Sequence, residues 1–580
     1  AEAVASRRGL EPTQTVTVIV RLGPGFYYSY SDFLHARPPG SRQVSVVEVA
    51  AERERDLRRL GRAVGQAIFP GAVDGALTEF LDRAASAGEQ VELTIETADA
   101  ELISIPFEAA SLSKGRVPAL EPGVMMSRRL AGCSAKAPPP RPGPLKILVA
   151  VGAPDEDKTP NTVLDYEREL QGILDAAEQA QRYGNAAVRI LEVGGLDEIR
   201  KALGQDTYHV LHLSGHGRAG MIELEDEDGA PRAVTAAQLA DAVRESGRPA
   251  PLVFLASCHS GAGDTETAGL AQDLLRRGLP AVVAMQSAVQ DTYATELAKA
   301  LYDNLSRGDR PLASVALAHA RQQLERERRK ALERGELELG QALAEYATPS
   351  LFQAAGEEPL LDRRLELEPL KVPVRMPTGG VVPRLTADEL IGRRRELRRL
   401  LRVLRDDPRS VNVIGRKAGY QLTGIGGAGK SALAGRAIAR LEETGWLVAE
   451  VSGQWSLSHL AAAVGVALMG HPQLADAGRT LIDPEMDDRA RAALLAGLLA
   501  QLPLLLVLDN FEDNLELGGR AYLDAATGQV MERLCRAAQR GRLLITSRYP
   551  ALGAEDWLAT EQLGRSRPPR HASCASACRR

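Results

Sequence analysis

A glycine-rich segment at residues 424–431 constrains the fold of this chain more than any other part of its sequence. It reads Gly-Ile-Gly-Gly-Ala-Gly-Lys-Ser, follows a strand predicted at 419–423 and precedes a helical pattern. This arrangement predicts an α/β sheet in which backbone amides of the loop converge on phosphate oxygens at a helix N-terminus. The residues expected to bind the nucleotide are Gly424, Gly426, Gly427, Gly429, Lys430 and Ser431.

An acidic residue at the end of a second apolar run supports this prediction. The run 504–508 ends at Asp509, where a P-loop fold needs a carboxylate that orients Mg²⁺. Lys430 is expected to contact the β and γ phosphates, and the Ser431 hydroxyl to hold the metal ion together with Asp509. We therefore predict ATP or ADP with Mg²⁺ as ligands. Because Asn510 cannot act as a base for water, we expect slow hydrolysis, with Glu512 as the alternative base.

The motifs from residue 391 onward resemble those of the NB-ARC and related STAND regulatory NTPases. They read IGRRRELRRLL, GIGGAGKS, LLLVLDN and LLITSR, and they extend over about residues 390–549. The resemblance implies that Thr546, Ser547 and Arg548 form the element that senses the γ phosphate, and that this domain self-associates. The sequence stops before the family's helical and winged-helix regions, which supply a proline and a histidine to the nucleotide. A truncated or frame-altered C terminus is therefore expected.

Two strand ends in the first half of the chain carry a histidine and a cysteine. The strand predicted at 208–213 is followed by SGHG, which contains His216, and the strand predicted at 252–255 is followed by ASCHSG, which contains Cys258. Their separation suffices for one helical crossover, so both are expected at the carboxyl edge of one parallel sheet. The imidazole would activate the thiol, and amides of Gly217 and Cys258 would hold an oxyanion. A cysteine that only packs is the alternative.

These motifs are similar to those of the caspase, metacaspase and separase clan, and more specifically to CHAT domains. The likeness covers about residues 80–355 and includes a Pro-aromatic-Glu element at 105–108. It implies a caspase-like α/β/α sandwich with a mainly parallel sheet, in which His216 is the general base and Cys258 the nucleophile. Ala256 stands where metacaspases carry an aspartate that pairs with a basic P1 side chain. Specificity for arginine or lysine is therefore not expected.

Proline-rich stretches divide the sequence into segments. We expect an N-terminal α+β region at 1–135 whose later part belongs to the CHAT unit, a CHAT peptidase core at 136–356, a linker at 357–386, an incomplete P-loop NTPase at 387–560 and a disordered tail at 561–580. The NTPase is expected to be a second α/β domain. The charged helical pattern at 291–346 is expected to be a solvated surface.

Composition limits the partners and the compartment. A net charge of −5 provides no basic field for nucleic acid, and no apolar run is long enough to span a bilayer. Five scattered cysteines indicate a reducing cytoplasm rather than a disulfide framework. Together with the two resemblances, this predicts a cytoplasmic cysteine endopeptidase of CHAT type that acts on a protein substrate under control of an ATP-binding STAND domain, in bacterial signalling or defence. A nucleotide-controlled scaffold with a non-proteolytic docking domain is the alternative hypothesis.

Overall fold

The computed structural model divides the chain into two units, between Val372 and Pro373. The residues that it describes are 2–8, 15–21, 46–99, 102–133, 135–155, 158–159, 166–218, 220–257, 269–286, 291–335, 343–368, 380–386, 389–390, 392–405 and 417–564. None of the helices in these ranges combines the length and the apolar composition needed to cross a membrane.

The first unit is built from short strands and longer helices. Its strands are β1 (Glu2–Arg8), β2 (Thr15–Arg21), β3 (Gln90–Thr97), β4 (Val124–Leu130), β5 (Arg141–Pro142), β6 (Leu145–Val151), β7 (Ala186–Ile190), β8 (Val210–Ser214), β9 (His216–Arg218), β10 (Met221–Glu225), β11 (Pro231–Thr235), β12 (Leu252–Ala256), β13 (Ala281–Met285), β14 (Pro349–Gln353) and β15 (Leu361–Asp362). Its helices are α1 (Val46–Ile68), α2 (Ala72–Ala87), α3 (Tyr166–Arg182), α4 (Leu196–Gln205), α5 (Ala236–Glu245), α6 (Leu270–Arg276), α7 (Asp291–Arg307) and α8 (Ala313–Arg334).

Ten of these strands form one sheet in the order β1-β2-β3-β4-β14-β13-β12-β8-β6-β7. Antiparallel pairing occurs between β1 and β2 and between β13 and β14, whereas the other described pairs are parallel. The carboxyl ends of β6, β8, β12 and β13 therefore lie at one edge of the sheet. The predicted α/β class with a mainly parallel sheet is confirmed.

Alternation along the strands gives this sheet two buried faces. Leu211, Val253 and Val282 pack into one apolar core together with residues of α4, α5 and α6. The residues next to them in sequence point the other way: His212 stacks on Phe254 with ring centroids 5.0 Å apart and contacts side chains from α3 and α7. Helices therefore cover both faces, as a three-layer α/β/α sandwich requires.

The charged helix α8 corrects one expectation, because it is not a solvated surface along its length. Arg321 is 1% exposed, and Glu325 and Arg328 are also buried. The Arg321 guanidinium donates to the carbonyl oxygens of Tyr346 at 2.9 Å and Pro349 at 2.6 Å, while Arg328 pairs with Glu325 at 2.8 Å. These partners satisfy the buried charges, and they cannot be recognised from the sequence pattern alone.

The strands of the second unit are β16 (Gly419–Thr423), β17 (Leu447–Ser452), β18 (Leu504–Asp509), β19 (Arg542–Ser547) and β20 (Leu558–Gln562). They form a five-stranded parallel sheet in the order β17-β18-β19-β16-β20. Its helices are α9 (Arg394–Arg405), α10 (Lys430–Glu442), α11 (Leu457–Met469), α12 (Ala475–Leu481), α13 (Asp488–Gln501) and α14 (Ala525–Ala537). The glycine-rich loop joins β16 to α10, as predicted.

Part of the proline-rich segment 357–386 packs against the unit on its own side. Near its start, β15 pairs in parallel with β5 of the first unit. Near its end, Val382 is 1% exposed within a core of the second unit, and Arg384 forms an ion pair with Glu442 on α10 at 2.7 Å. These contacts anchor the two ends of the segment.

Candidate functional site

The candidate peptidase site lies where β8 and β12 end, side by side and parallel. Ala256, the last residue of β12, is the register partner of Ser214, the last residue of β8. The two strands therefore end at the same edge of one parallel sheet, as the sequence predicts. His216 and Cys258 each follow this register pair by two residues in the sequence. Cys258 lies outside the described residues, so the dyad itself stays a prediction.

His216 belongs to a small antiparallel sheet, in the order β11-β10-β9, that is not predicted from the sequence. On β10, Glu223 is the partner of His216, and Ile222 is the partner of Gly217. The strand β10 passes so close to the end of β8 that a Cβ on Gly215 would lie 2.4 Å from the Glu223 carbonyl oxygen. Only glycine permits this approach. The hairpin thus fixes the backbone of the half-buried His216 next to the sheet edge.

A buried hydrogen-bond network lies on the same strand, just before this edge. The Ser214 hydroxyl donates to one oxygen of Glu169 at 2.6 Å, and His212 Nε2 lies 3.1 Å from the other. The Tyr302 hydroxyl lies 2.6 Å from His212 Nδ1. Burial raises the pKa of Tyr302 well above its ordinary value, so the phenol keeps its proton. A carboxylate only accepts hydrogen bonds, so we assign the ring proton to Nε2, which donates to Glu169, and Nδ1 then accepts from the Tyr302 hydroxyl.

The Pro-aromatic-Glu element has a structural explanation in a buried ion pair. Glu108 and Arg128 are each 1% exposed; Arg128 Nε donates to one carboxylate oxygen at 3.2 Å, and its Nη2 contacts the other. The guanidinium also lies over the rings of Phe107 and Phe352, 5.0 and 5.4 Å from their centroids. The element therefore anchors the segment before β4 to the sheet. The motif was visible in the sequence, but its partner Arg128 was not.

The candidate nucleotide site is formed by the loop between β16 and α10. Gly424 has a φ of 144°, and a Cβ there would lie 2.4 Å from the Leu563 carbonyl oxygen, so this position requires glycine. The Lys430 ammonium folds back over the loop and donates to the carbonyl oxygens of Gly424 at 2.8 Å and Ile425 at 3.1 Å. Lys430 is thereby held against the loop that the sequence predicts to bind phosphate.

Oxygen atoms converge at the end of β18. Ser431 donates to Asp509 Oδ1 at 3.0 Å, and Thr546 donates to the same oxygen at 2.5 Å. The Thr546 hydroxyl also accepts the backbone N–H of Asn510 at 3.1 Å. A hydroxyl and a carboxylate in contact form an oxygen donor set of the kind that Mg²⁺ prefers. The structure thus brings the two predicted metal ligands together.

Arg548 also reaches this loop. A Cβ built on Gly426 would lie 4.0 Å from Arg548 Nη2. Glu512, the alternative base predicted from the sequence, instead pairs with Arg548: its two oxygens lie 3.1 Å from the arginine backbone nitrogen and 3.2 Å from Nε. Gly427 and Gly429 have positive φ angles and open space around them. The predicted nucleotide-binding residues therefore lie in this loop or next to it.

Comparison with protein families identifies both parts of the chain. Residues 58–361 match the CHAT domain family, and residues 389–546 match the AAA ATPase domain. The three-layer fold with its strand-end site is thus a peptidase-like domain, accompanied by an ATPase domain. Because the CHAT match covers just over half of the residues of this chain, the chain belongs to the CHAT family. No curated protein matches the sequence significantly.

Solved structures show only distant likeness. The separase-securin complex of Saccharomyces cerevisiae is 14% identical over 46% of this chain and 16% of that chain, with a TM-score of 0.27. A STAND protein with a tetratricopeptide repeat sensor from Pyrococcus horikoshii is 18% identical over 31% and 24%, with a TM-score of 0.22. The Aeropyrum pernix Orc1 protein in complex with DNA is 22% identical over 32% and 47%, with a TM-score of 0.21. The chain spans less than half the length of each.

Proposed function

We propose that this chain is a cysteine endopeptidase of CHAT type whose activity is regulated by nucleotide bound to its P-loop domain. The observation that carries the proposal is the register pair of Ser214 and Ala256, because His216 and Cys258 follow it by equal distances along the chain. Neighbouring parallel strands bring the segments after them to the same sheet edge, where α/β proteins hold their sites. The position of the Cys258 thiol itself is part of the proposal.

In the proposed reaction, His216 takes the proton of the Cys258 thiol, and the thiolate sulfur bonds to the carbonyl carbon of a peptide. The amides of Gly217 and Cys258 donate to the oxyanion that forms. When the C–N bond breaks, the imidazolium gives its proton to the leaving amine. His216 then takes a proton from water, whose oxygen bonds to the acyl carbon. The C–S bond breaks, the new carboxyl product leaves, and the imidazolium returns its proton to the sulfur. The substrate is a protein, and no nucleic-acid or membrane partner takes part.

The second half of the proposal concerns ATP or ADP with Mg²⁺. Gly424, Gly426, Gly427 and Gly429 would cradle the phosphates, Lys430 would pair with them, and Ser431 with Asp509 would hold the ion. When bound, Mg²⁺ neutralises phosphate charge. Hydrolysis is expected to be slow because Asn510 follows Asp509. Self-association through this domain would link the nucleotide state to proteolysis in the cytoplasm, in bacterial signalling or defence.

A peptide-library digestion tests the proposal. The full chain, Cys258→Ala and the control Cys133→Ala are incubated with peptides from a denatured proteome, without nucleotide and with ADP or ATP and Mg²⁺, and new termini are identified by mass spectrometry. We expect cleavage by the wild type and Cys133→Ala, and none by Cys258→Ala with an unchanged melting temperature. Cleavage that survives in Cys258→Ala would refute the peptidase. If no form cleaves while ATP changes the oligomeric state, the scaffold hypothesis is favoured.

A further inference from the structure

Glu512 is held beside the phosphate-binding loop by Arg548 from two directions. One carboxylate oxygen accepts the arginine backbone N–H at 3.1 Å, and the other lies 3.2 Å from the side-chain Nε. The Glu512 side chain is 14% exposed, whereas that of Arg548 is 62% exposed. The carboxylate is therefore the fixed partner, and the outer part of the guanidinium is the part that can move.

The backbone around Glu512 is firmly anchored. It lies on the 3₁₀ turn Phe511–Asn514, which follows Asn510 in a left-handed conformation with φ 53°. Phe511 is fully buried, and the Asn514 side chain donates to the Gly453 carbonyl oxygen at 3.0 Å. Arg548 follows β19, the parallel neighbour of β18. Both residues of the pair therefore stand on rigid elements, so a new partner for Arg548 needs only a change of its side chain.

The Arg548 guanidinium is close to the loop that would hold phosphate. Its Nη2 atom is 4.0 Å from the place where a side chain on Gly426 would begin. A nucleoside triphosphate on a P-loop carries its outermost phosphate near the loop lysine, here Lys430. This phosphate and Glu512 are both anions within reach of the Arg548 guanidinium. When the guanidinium binds one of them, its attraction to the other becomes weaker. A diphosphate has no such group.

We propose that Glu512 determines which nucleotide the site prefers, by competing with the γ phosphate for Arg548. This inference rests on the proposed nucleotide site and goes beyond it. In the diphosphate state the pair stays intact, so Glu512 does not weaken the binding of the nucleotide. In the triphosphate state the Arg548 side chain turns from Glu512 to the γ phosphate, and the carboxylate keeps only the Arg548 backbone N–H while it faces an added negative charge. Glu512 therefore lowers the affinity for ATP relative to ADP.

Calorimetric titrations of the full chain test this inference. ADP and a β,γ-imido ATP analogue, each with Mg²⁺, are titrated into the wild type, Glu512→Gln, Arg548→Ala and the double variant. Glu485→Gln removes an exposed carboxylate of the same unit and serves as the control. Since the pair is partly exposed, we expect Glu512→Gln to tighten the analogue by about threefold and to change ADP affinity by less than about twofold. Arg548→Ala weakens only the analogue, and it reduces the effect of Glu512→Gln in the double variant.

The inference is overturned if Glu512→Gln changes the affinities for both nucleotides equally, changes neither, or acts undiminished without Arg548. These results would leave the nucleotide site itself standing, because the wild type still binds. A wild-type chain that binds neither nucleotide would instead overturn the site and the inference together. Arg548→Ala keeps the test decisive if Glu512→Gln fails to fold, because equal weakening of both nucleotides would contradict the competition.

Discussion

Ser214 and Ala256 are register partners at the ends of two neighbouring parallel strands. The chain travels between them through a three-stranded antiparallel sheet and the helix α5, yet returns to the same sheet edge. Each strand is fully buried over most of its length, so its position is fixed by packing on both faces. The segments that carry the proposed base and nucleophile therefore begin from a common, rigid edge.

Tyr302→Phe tests the network on the buried face of this edge. The change removes the hydroxyl that donates to His212 Nδ1 at 2.6 Å and leaves a buried acceptor without a donor. We expect the free energy of unfolding to fall by ~1–3 kcal/mol, measured by urea titration of the full chain. Tyr183→Phe is the control, because Tyr183 is 74% exposed. Equal effects of the two changes would contradict the hydrogen-bond assignment.

Glu108→Gln tests the buried ion pair of the Pro-aromatic-Glu element. The variant leaves the Arg128 charge without its counter-ion in a site where both side chains are 1% exposed. We expect a loss of ~3–5 kcal/mol in unfolding free energy. Glu178→Gln breaks the exposed pair with Arg182 and should cost less than ~1 kcal/mol. If denaturant midpoints of the two variants coincide, the buried pair is not an anchor of this segment.

Acid should destabilise the first unit through His209. Burial, aided by the nearby Arg141 and Lys146 charges, lowers the pKa of His209 to about 3 in the folded chain, against about 6.5 when unfolded. The unfolded state therefore binds the extra proton between these values, so stability is complete above pH 6.5 and falls as the pH drops towards 3. His209→Asn should flatten this dependence, because an amide does not titrate. Its oxygen can still accept the Lys146 backbone N–H that donates to His209 Nδ1 at 2.8 Å. If the stability of the wild type and of His209→Asn depended on pH in the same way, His209 would not be the origin of the acid sensitivity.

Asp509→Asn tests the metal-binding half of the nucleotide site. The carboxylate that contacts Ser431 and Thr546 becomes a neutral amide, which is a poor ligand for Mg²⁺. We expect Mg²⁺ to strengthen ATP binding to the wild type by about tenfold, which is ~1.4 kcal/mol, and not to strengthen binding to the variant. Titrations with Mg²⁺ and with EDTA give this comparison, and Asp556→Asn is the control. If Mg²⁺ strengthened ATP binding to Asp509→Asn as much as to the wild type, Asp509 would be excluded as a ligand of Mg²⁺.

The sequence predicts contiguous features of this fold well. The P-loop was recognisable because its glycines, Lys430 and Ser431 are consecutive, and β16 has the predicted bounds. The strands β12 and β18 were recognisable as apolar runs. Such features depend on local pattern, which the order of residues contains directly.

Features that depend on distant partners were not predictable. Glu169 and Tyr302 meet His212 from two helices far apart in the sequence, so no local pattern marks the network. The three-stranded sheet around His216 was missed because its strands have at most five residues. The pairing of Glu512 with Arg548 likewise follows from neighbouring strands rather than from spacing. Three-dimensional packing decides these contacts.

The reactivity of Cys258 in the full chain tests the central claim most directly. Alkylation of each cysteine by iodoacetamide at neutral pH is followed by mass spectrometry of its peptide, in the wild type and in His216→Ala. Burial raises the pKa of the Cys133 thiol, so Cys133 provides an unactivated reference. The account predicts that Cys258 reacts faster than Cys133 and slows by at least about tenfold in His216→Ala. Labelling of Cys258 no faster than that of Cys133, or unaffected by the loss of His216, would contradict it.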